Sequence, residues 1–150
     1  MINHLYRSQT VDAPLQSVWE FFSNPANLDA LTPPELGFRI ISPPVNKMYP
    51  GQLIEYRIRF LPGLWSRWLT EIAHVEEGRY FVDEQRLGPY KFWYHEHHFI
   101  EMATGIEITD RVTYDVGFGI AGWLAEKLWV RRKLNRIFDY RRHMVENAFR

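Results

Sequence analysis

Three histidines and two aspartates stand at spacings that could support chemistry on a β-sheet. His95, His97 and His98 occupy one predicted strand, and Asp83 and Asp110 lie on the strands before and after it. Alternate residues of a strand share a face, so His95 and His97 are expected on one side and His98 on the other. Imidazole and carboxylate groups on one face can exchange protons or hold a metal ion.

The turns on either side of this strand set which residues face one another. A turn at Gly88-Pro89-Tyr90 predicts Asp83 opposite His95 and Gln85 opposite Trp93. A tight turn at Thr104-Gly105 predicts a second set of opposed pairs: Phe99 with Asp110, His97 with Val112, and His95 with Tyr114. Asp83, His95 and Tyr114 would then form one row across three strands.

This row suits general acid–base chemistry. Asp83 would orient His95 and raise its basicity, and His95 would act as general base or acid on a bound ligand. Tyr114 would donate a hydrogen bond to a developing oxyanion. The same residues also suit a buried polar network in which each group satisfies another, and such networks outnumber catalytic ones. The sequence therefore leaves both interpretations open and assigns no catalytic residue.

The pair His95 and His97 also raises a metal hypothesis, with Asp83 or Asp110 as a further ligand. His98 is expected to point away from the pair, and aromatic residues surround it. Alternating histidines on a strand are weak evidence for an ion. The sequence accordingly predicts no metal site and no cofactor.

Aromatic and apolar residues on the same predicted face form a candidate cavity wall. The residues are Tyr56, Ile58, Trp68, Ile72, Trp93, Phe99 and Tyr114. The polar side chains among them, expected to fix the polar end of a ligand, are Asp83, Gln85, His95, His97 and Asp110. A mostly apolar lining with a few convergent polar groups is typical of a small-molecule site, although a packed core without a cavity would use the same bulky residues.

The elements that must position these residues follow from hydrophobic periodicity. Helical spacing predicts helices over 13–23, 25–30 and 120–149, the last with Trp123, Val130, Leu134, Ile137, Val145 and Ala148 on its buried stripe. Alternation and turn signals predict strands over 3–11, 38–41, from Pro50-Gly51 to Pro62-Gly63, and over 65–75, 80–87, 91–101 and 106–116. Successive strands with short turns indicate an antiparallel sheet that packs one face on the last helix.

Five segments resemble a known superfamily in their motifs and order. They are LTPPELGF at 31–38 (preceded by Asn27-Leu28), FVDEQRLGPY at 81–90, WYHEH at 93–97, DRVTY at 110–114 and IFDYR at 137–141. The chain resembles the START and birch-pollen-allergen-like (SRPBCC) superfamily, in particular a bacterial branch described as cyclase/dehydrase-like, ligand-binding or cell-division-inhibitor-related. The resemblance implies an α+β helix-grip fold: a curved antiparallel sheet of about six to seven strands around a long C-terminal helix, with two short helices after the first strand.

Length and composition bound the remaining possibilities. The 150 residues predict one domain, 1–150, and 24 of them are aromatic, more than a small core needs. Eighteen basic residues balance eighteen acidic ones, which argues against a nucleic-acid partner. The absence of cysteine excludes disulfides and thiolate chemistry. The N-terminal segment does not have the pattern of a signal peptide, and no apolar stretch is long enough to span a bilayer, so we expect a cytoplasmic protein.

The C-terminal helix is basic, with Lys127, Arg131, Arg132, Lys133, Arg136, Arg141, Arg142 and Arg150. Beside the apolar segment 117–123 and Trp129, these cations could support weak contact with an anionic membrane surface, or they could form a solvated face whose charges pair with the sheet. Gly117, Gly119 and Gly122 resemble a phosphate loop only loosely, because the Lys-Ser/Thr of such a loop is missing.

The sequence therefore supports three hypotheses. The favoured one is binding of a hydrophobic or aromatic small molecule, such as a lipid, quinone or polyketide-like compound, between the sheet and the C-terminal helix. The second is a cyclase or dehydratase that uses His95 with Asp83 in the same cavity. The third is an interaction module without a ligand, which predicts no enclosed cavity. The oligomeric state is not predicted.

Overall fold

The computed structural model describes residues 1–59 and 63–150 in full, and the backbone of residues 60 and 61. Its strands are β1 (Asn3–Val11), β2 (Arg39–Ile40), β3 (Leu53–Leu61), β4 (Leu64–Glu76), β5 (Tyr80–Leu87), β6 (Phe92–Met102) and β7 (Gly105–Asp115). Its helices are α1 (Leu15–Phe22), α2 (Gly119–Ala125) and α3 (Arg131–Ala148), with short 3₁₀ turns at Pro25–Leu28 and Pro34–Leu36 and a π turn at Glu126–Val130. Pro62, where the sequence predicts a break between two strands, lies outside the described residues.

The seven strands form one antiparallel sheet in the order β1-β7-β6-β5-β4-β3-β2. The meander from β3 to β7 follows the predicted order, and β1 adds to the far side of β7. The α+β architecture, an antiparallel sheet with a long C-terminal helix, is confirmed. None of the described helices is both long and apolar enough to cross a membrane.

Two buried clusters fill the inner face of the sheet. Under α1, the rings of Trp19 and Phe22 contact Phe99 edge-on at 5.4 and 5.3 Å. Along α3, Leu134 and Phe138 belong to a cluster with Trp68, Trp93 and Tyr114, among others. Aromatic pairs in these geometries add to the stabilisation from burial. The inward alternation that predicts these faces is therefore correct on β4, β6 and β7.

The hairpin between β6 and β7 closes two residues away from its predicted register. Met102 pairs with Gly105, so His97 lies opposite Asp110 and His95 lies opposite Val112. A shift of two residues keeps every side chain on its face, which is why the inward set is unchanged. Gly105 lies within the strand because its backbone packs against β1, where an added Cβ would approach the Val11 carbonyl oxygen to 2.2 Å. The predicted pairings of Phe99 with Asp110, His97 with Val112 and His95 with Tyr114 are wrong.

The C-terminal helical region runs from Gly119 to Ala148 but is interrupted by the π turn. Its buried residues are spaced by four positions from Gly122 to Phe138. They are Gly122, Glu126, Val130, Leu134 and Phe138, followed by Val145. The wider π turn shifts the register of the buried stripe relative to a regular helix. Trp123 and Ile137 are consequently half-buried and Ala148 is exposed, contrary to the predicted stripe.

Candidate functional site

A cavity of about 140 Å³ lies between the inner face of the sheet and α3. Eight of the residues predicted for its wall do line it, and they are Tyr56, Ile58, Trp68, Ile72, Asp83, Trp93, His95 and His97. Leu28, Thr32 and Ile137 line the cavity but are only half-buried, so this side of the wall reaches the surface. The cavity is thus mainly apolar and aromatic, with a charged cluster on one side.

Four residues predicted for the cavity wall do not line it. Gln85 closes the turn between β5 and β6. Its Nε2–H donates to the Tyr90 carbonyl oxygen at 2.6 Å, and its Oε1 accepts a hydrogen bond from the Tyr90 backbone N–H at 3.1 Å. Phe99 packs under α1, away from the cavity. Asp110 lies behind the two histidines, and Tyr114 turns toward the π turn. A shared face places these side chains inside the protein, but position along the strand decides whether they reach the cavity.

Helix α3 and the 3₁₀ turns supply wall residues that sequence reasoning missed. Leu134, Ile137, Phe138 and Arg141 come from α3, and Leu31, Leu36 and Phe38 come from the segment around the second 3₁₀ turn. The sequence places Arg141 among the basic residues of the C-terminal helix, but its side chain is only 12% exposed and faces the sheet. Its place four positions before Val145 on the buried stripe is the signal that could have identified it.

Two histidines and two aspartates form a crossed set of hydrogen bonds. Asp83 lies opposite His95 in the ladder, as predicted, yet His95 Nε2–H donates to Asp110 Oδ1 at 2.9 Å. His97 Nε2–H in turn donates to Asp83 Oδ2 at 2.6 Å. His95 Nδ1 is 3.4 Å from Asp83 Oδ2, farther than His95 Nε2 is from Asp110 Oδ1. The closest carboxylate to His95 is therefore Asp110 and not Asp83, the partner in the predicted dyad.

Arg141 completes this cluster from α3. Its Nη2 donates to His97 Nδ1 at 3.2 Å and lies 3.5 Å from Asp110 Oδ1. A nitrogen that accepts a hydrogen bond from a guanidinium carries no proton, so this network places the His97 proton on Nε2. We call the five residues Asp83, His95, His97, Asp110 and Arg141 the polar cluster.

The electrostatics of the polar cluster keep both carboxylates ionised. Burial favours the neutral acid, but Arg141 and the two imidazole hydrogen bonds outweigh it and hold the pKa of Asp110 well below its ordinary value. Burial is likewise outweighed at Asp83, where His95 and His97 keep the pKa below its ordinary value. Burial and the neighbouring His97 lower the pKa of His95, so its ring is neutral.

Aromatic rings hold both imidazoles in fixed orientations. Phe81 stacks on His97 with ring centroids 4.1 Å apart, and the two imidazoles are 3.7 Å from each other. Phe138 and Trp93 contact His95 edge-on at 5.6 and 6.1 Å. Side chains locked by packing present their nitrogens at defined positions, which both catalysis and ligand binding require.

Tyr114 belongs to a second buried group at the π turn. Its hydroxyl donates to Glu126 Oε1 at 2.9 Å, and Arg131 Nε donates to the same oxygen at 2.8 Å. Burial and the bond to Glu126 raise the pKa of Tyr114 to about 12. The predicted role of Tyr114 as oxyanion donor beside His95 is therefore wrong, because its hydroxyl is committed to Glu126 outside the cavity.

Unsatisfied or adaptable polar atoms on the cavity wall offer hydrogen bonds to a ligand. Among the described residues, the buried Nε1–H of Trp68 has no hydrogen-bond partner. The hydroxyl of Tyr56 lies 3.2 Å from Thr70 Oγ1, and both residues line the cavity. Burial, with Asp83 nearby, raises the pKa of Tyr56, so this hydroxyl keeps its proton. A buried donor without a partner is costly, and a ligand oxygen would relieve that cost.

No family model and no curated protein matches the sequence. Solved structures do match the fold. Protein CV1439 from Chromobacterium violaceum aligns with a TM-score of 0.72 at 13% identity, over 98% of this chain and 97% of that one. Ginseng major latex-like protein 151 from Panax ginseng aligns with a TM-score of 0.66 at 12% identity, over 99% and 98% of the two chains.

A third match covers a small part of a larger protein. A nucleoside-diphosphate sugar epimerase from Corynebacterium glutamicum aligns with a TM-score of 0.55 at 23% identity, over 72% of this chain and 24% of that one. At such identities the likeness concerns the fold alone. The predicted helix-grip fold, an antiparallel sheet with a long C-terminal helix, is confirmed.

Proposed function

We propose that this protein binds a hydrophobic or aromatic small molecule in the cavity between the sheet and α3. The observation that carries the proposal is an apolar, ring-lined cavity with a charged cluster on one side of its wall. A volume of about 140 Å³ is close to that of an engineered apolar cavity that takes up benzene, and below the roughly 300–1,000 Å³ of most ligand pockets. A single ring or quinone-like head group therefore fits, and any attached chain has to leave through the half-buried side.

The direct test is native mass spectrometry of untagged protein, followed by extraction and identification of any bound compound. We expect a bound molecule, or uptake of one probe from a naphthoquinone, a phenol and a medium-chain fatty acid, in buffer with a chelator. Protein that carries nothing and takes up none of the three would contradict the proposal. The extracted compound is then incubated again with the protein. This separates ligand binding from cyclase or dehydratase activity, because an enzyme converts the compound and a binding protein returns it unchanged.

Trp68 gives this proposal a residue-level prediction. Trp68→Phe keeps a ring in the wall but removes the buried N–H that has no partner among the described residues. We expect affinity for a naphthoquinone to fall about two- to tenfold, since a net hydrogen bond contributes about 0.5–1.5 kcal/mol. The matched control is Trp19→Phe, because Trp19 also has a buried N–H without a described partner but lies outside the cavity wall. If the two variants bound the naphthoquinone with equal affinity, the Trp68 N–H would not be a hydrogen-bond donor to the ligand.

We infer a second, separate role for the apolar surface that begins the C-terminal helical region. Ile120, Leu124 and Leu128 are spaced by four positions and are 79%, 47% and 65% exposed, and Phe118 before them is 85% exposed. Exposed cations flank them at Lys127 and Arg132. Apolar side chains beside cations are complementary to an anionic lipid surface.

Vesicle sedimentation tests this second role. We expect the protein to bind phosphatidylglycerol vesicles at low salt, not phosphatidylcholine vesicles, and the double variant I120S/L128S to lose binding. The control I100S/M102S removes apolar side chains that are similarly exposed on β6, and it should bind like the wild type. Equal sedimentation with both lipids would show that anionic charge does not select the surface. Concentration-dependent self-association that I120S/L128S abolishes would instead identify the surface as a contact between copies of the chain.

A further inference from the structure

The geometry of the polar cluster points to a site for a divalent transition-metal ion, Zn²⁺ or a similar ion, on the cavity wall. One ligand atom each from Asp83, His95 and His97 lies within 4.8 Å of the other two. We propose that Asp83 Oδ2, His95 Nδ1 and His97 Nε2 bind the ion. This site goes beyond the proposed ligand binding and does not depend on it.

The three proposed ligand atoms lie close together, all within 4.8 Å of one another. Asp83 Oδ2 lies 3.4 Å from His95 Nδ1 and 2.6 Å from His97 Nε2. Two ligands of a tetrahedral zinc ion, each about 2.0 Å from the metal, are roughly 3.3 Å apart. The first distance therefore needs no change, and the second has to widen by a small side-chain rotation. Two imidazoles and one carboxylate are a ligand set that suits zinc, iron and similar ions.

The outer atoms of the same imidazoles converge on a different carboxylate. Asp110 Oδ1 lies 2.9 Å from His95 Nε2 and 3.2 Å from His97 Nδ1. A metal-binding histidine almost always donates its other ring N–H to a carboxylate, carbonyl or water, and here one aspartate serves both rings. When an ion takes His97 Nε2, the ring proton moves to Nδ1, where Asp110 accepts its hydrogen bond, and the Arg141 Nη2–H that donates to Nδ1 in the metal-free protein has to turn toward Asp110.

The charge of Asp83 and the position of the three proposed ligands on the cavity wall also suit a bound ion. Arg141 pairs with Asp110, whereas the ion pairs of Asp83 within 4.0 Å, among the described residues, are with the two histidines. The guanidinium therefore balances the outer carboxylate and leaves the charge of Asp83 for the ion. Asp83, His95 and His97 line the cavity and Asp110 does not, so three protein ligands leave the remaining coordination positions toward the cavity.

The experiment uses untagged full-length protein, stripped with a chelator and then titrated with Co²⁺ as a spectroscopic probe and with Zn²⁺ as competitor. We expect one Co²⁺ per chain, with the visible absorption of a nitrogen- and oxygen-ligated ion, displaced by Zn²⁺. Asp83→Asn and His97→Gln should each abolish stoichiometric binding, and Asp110→Asn should weaken it by about tenfold to a hundredfold. The matched control His98→Gln, on the same strand but the opposite face, should bind as the wild type does.

Two measurements keep the result decisive. Unfolding curves recorded in chelator show whether each variant folds, and ring-nitrogen NMR of the wild type with Zn²⁺ needs no variant at all. The spectra should show coordination at Nδ1 of His95 and Nε2 of His97, with His74 and His98 unchanged. Absence of stoichiometric binding by the wild type, binding that survives Asp83→Asn, or shifts at His98 instead of His95 and His97 would overturn the proposal. Uptake of the naphthoquinone in chelator would be unaffected by that failure.

Discussion

Replacing Arg141 with methionine is expected to lower the free energy of unfolding by about 3–5 kcal/mol, because it leaves buried charge without its cation. Arg141 is 12% exposed and lies 3.5 Å from Asp110 Oδ1, whose side chain is 8% exposed. Among the described residues, no other lysine or arginine lies within 4.0 Å of Asp83 or Asp110. Methionine keeps most of the aliphatic volume, so the change reports mainly on charge and hydrogen bonding.

The neighbouring residue provides the control. Arg142 is 51% exposed and pairs with Glu146 at 3.4 Å across one helical turn, so Arg142→Met should change the free energy of unfolding by less than about 1 kcal/mol. Denaturant unfolding of the two variants and the wild type, in chelator, gives both values. A loss below about 1 kcal/mol for Arg141→Met would show that the histidines supply the compensating charge themselves, and the cation would then not be required.

Gly122→Ala is expected to cost about 3 kcal/mol or more. A Cβ at this position would lie 1.6 Å from the Gly117 carbonyl oxygen and 2.8 Å from its carbonyl carbon. Both are backbone atoms of the turn that leads from β7 into α2, so neither can rotate away. The turn itself has Gly117 at φ +81° and Phe118 at φ +59°, which leaves little freedom for adjustment.

Ala121→Ser is the control for this position. Ala121 is exposed beside Gly122, and a serine there should cost no more than about 0.5 kcal/mol. The measurement is again denaturant unfolding. If Gly122→Ala stayed within about 1 kcal/mol of the wild type, α2 would have to move away from the turn at low cost. The expected loss would also explain the glycine-rich segment as a close backbone contact, without a phosphate ligand.

Much of the fold follows from local patterns. The strand predicted at 3–11 matches Asn3–Val11, and the strand predicted at 80–87 matches Tyr80–Leu87. Alternation with a period of two predicts which side chains point inward, and this held for His95, His97 and Asp83. The short helix predicted at 25–30 is instead a 3₁₀ turn at Pro25–Leu28, because boundaries of short elements depend on contacts outside the segment.

The candidate site shows where local patterns stop being informative. The opposed pair of Asp83 and His95 is predicted correctly, yet His95 bonds Asp110 instead, and Asp83 bonds His97, for which the sequence predicts no aspartate partner. Register across a hairpin depends on which residues form the turn, and Gly105 joins the strand because of a close approach to β1. Hydrogen-bond partners then depend on side-chain rotamers, which neighbouring rings such as Phe81 select.

The alternation of apolar and polar residues along the chain was enough to specify the sheet, its inner face and the long C-terminal helix, because those features depend on periodicity. Only tertiary packing decided that Arg141 enters the polar cluster instead of facing solvent, and that Asp110 stands behind both histidines. A helix side chain's partners depend on the rotation and position of α3 over the sheet. That placement is set by contacts between residues far apart in sequence, and by the π turn that shifts the buried stripe.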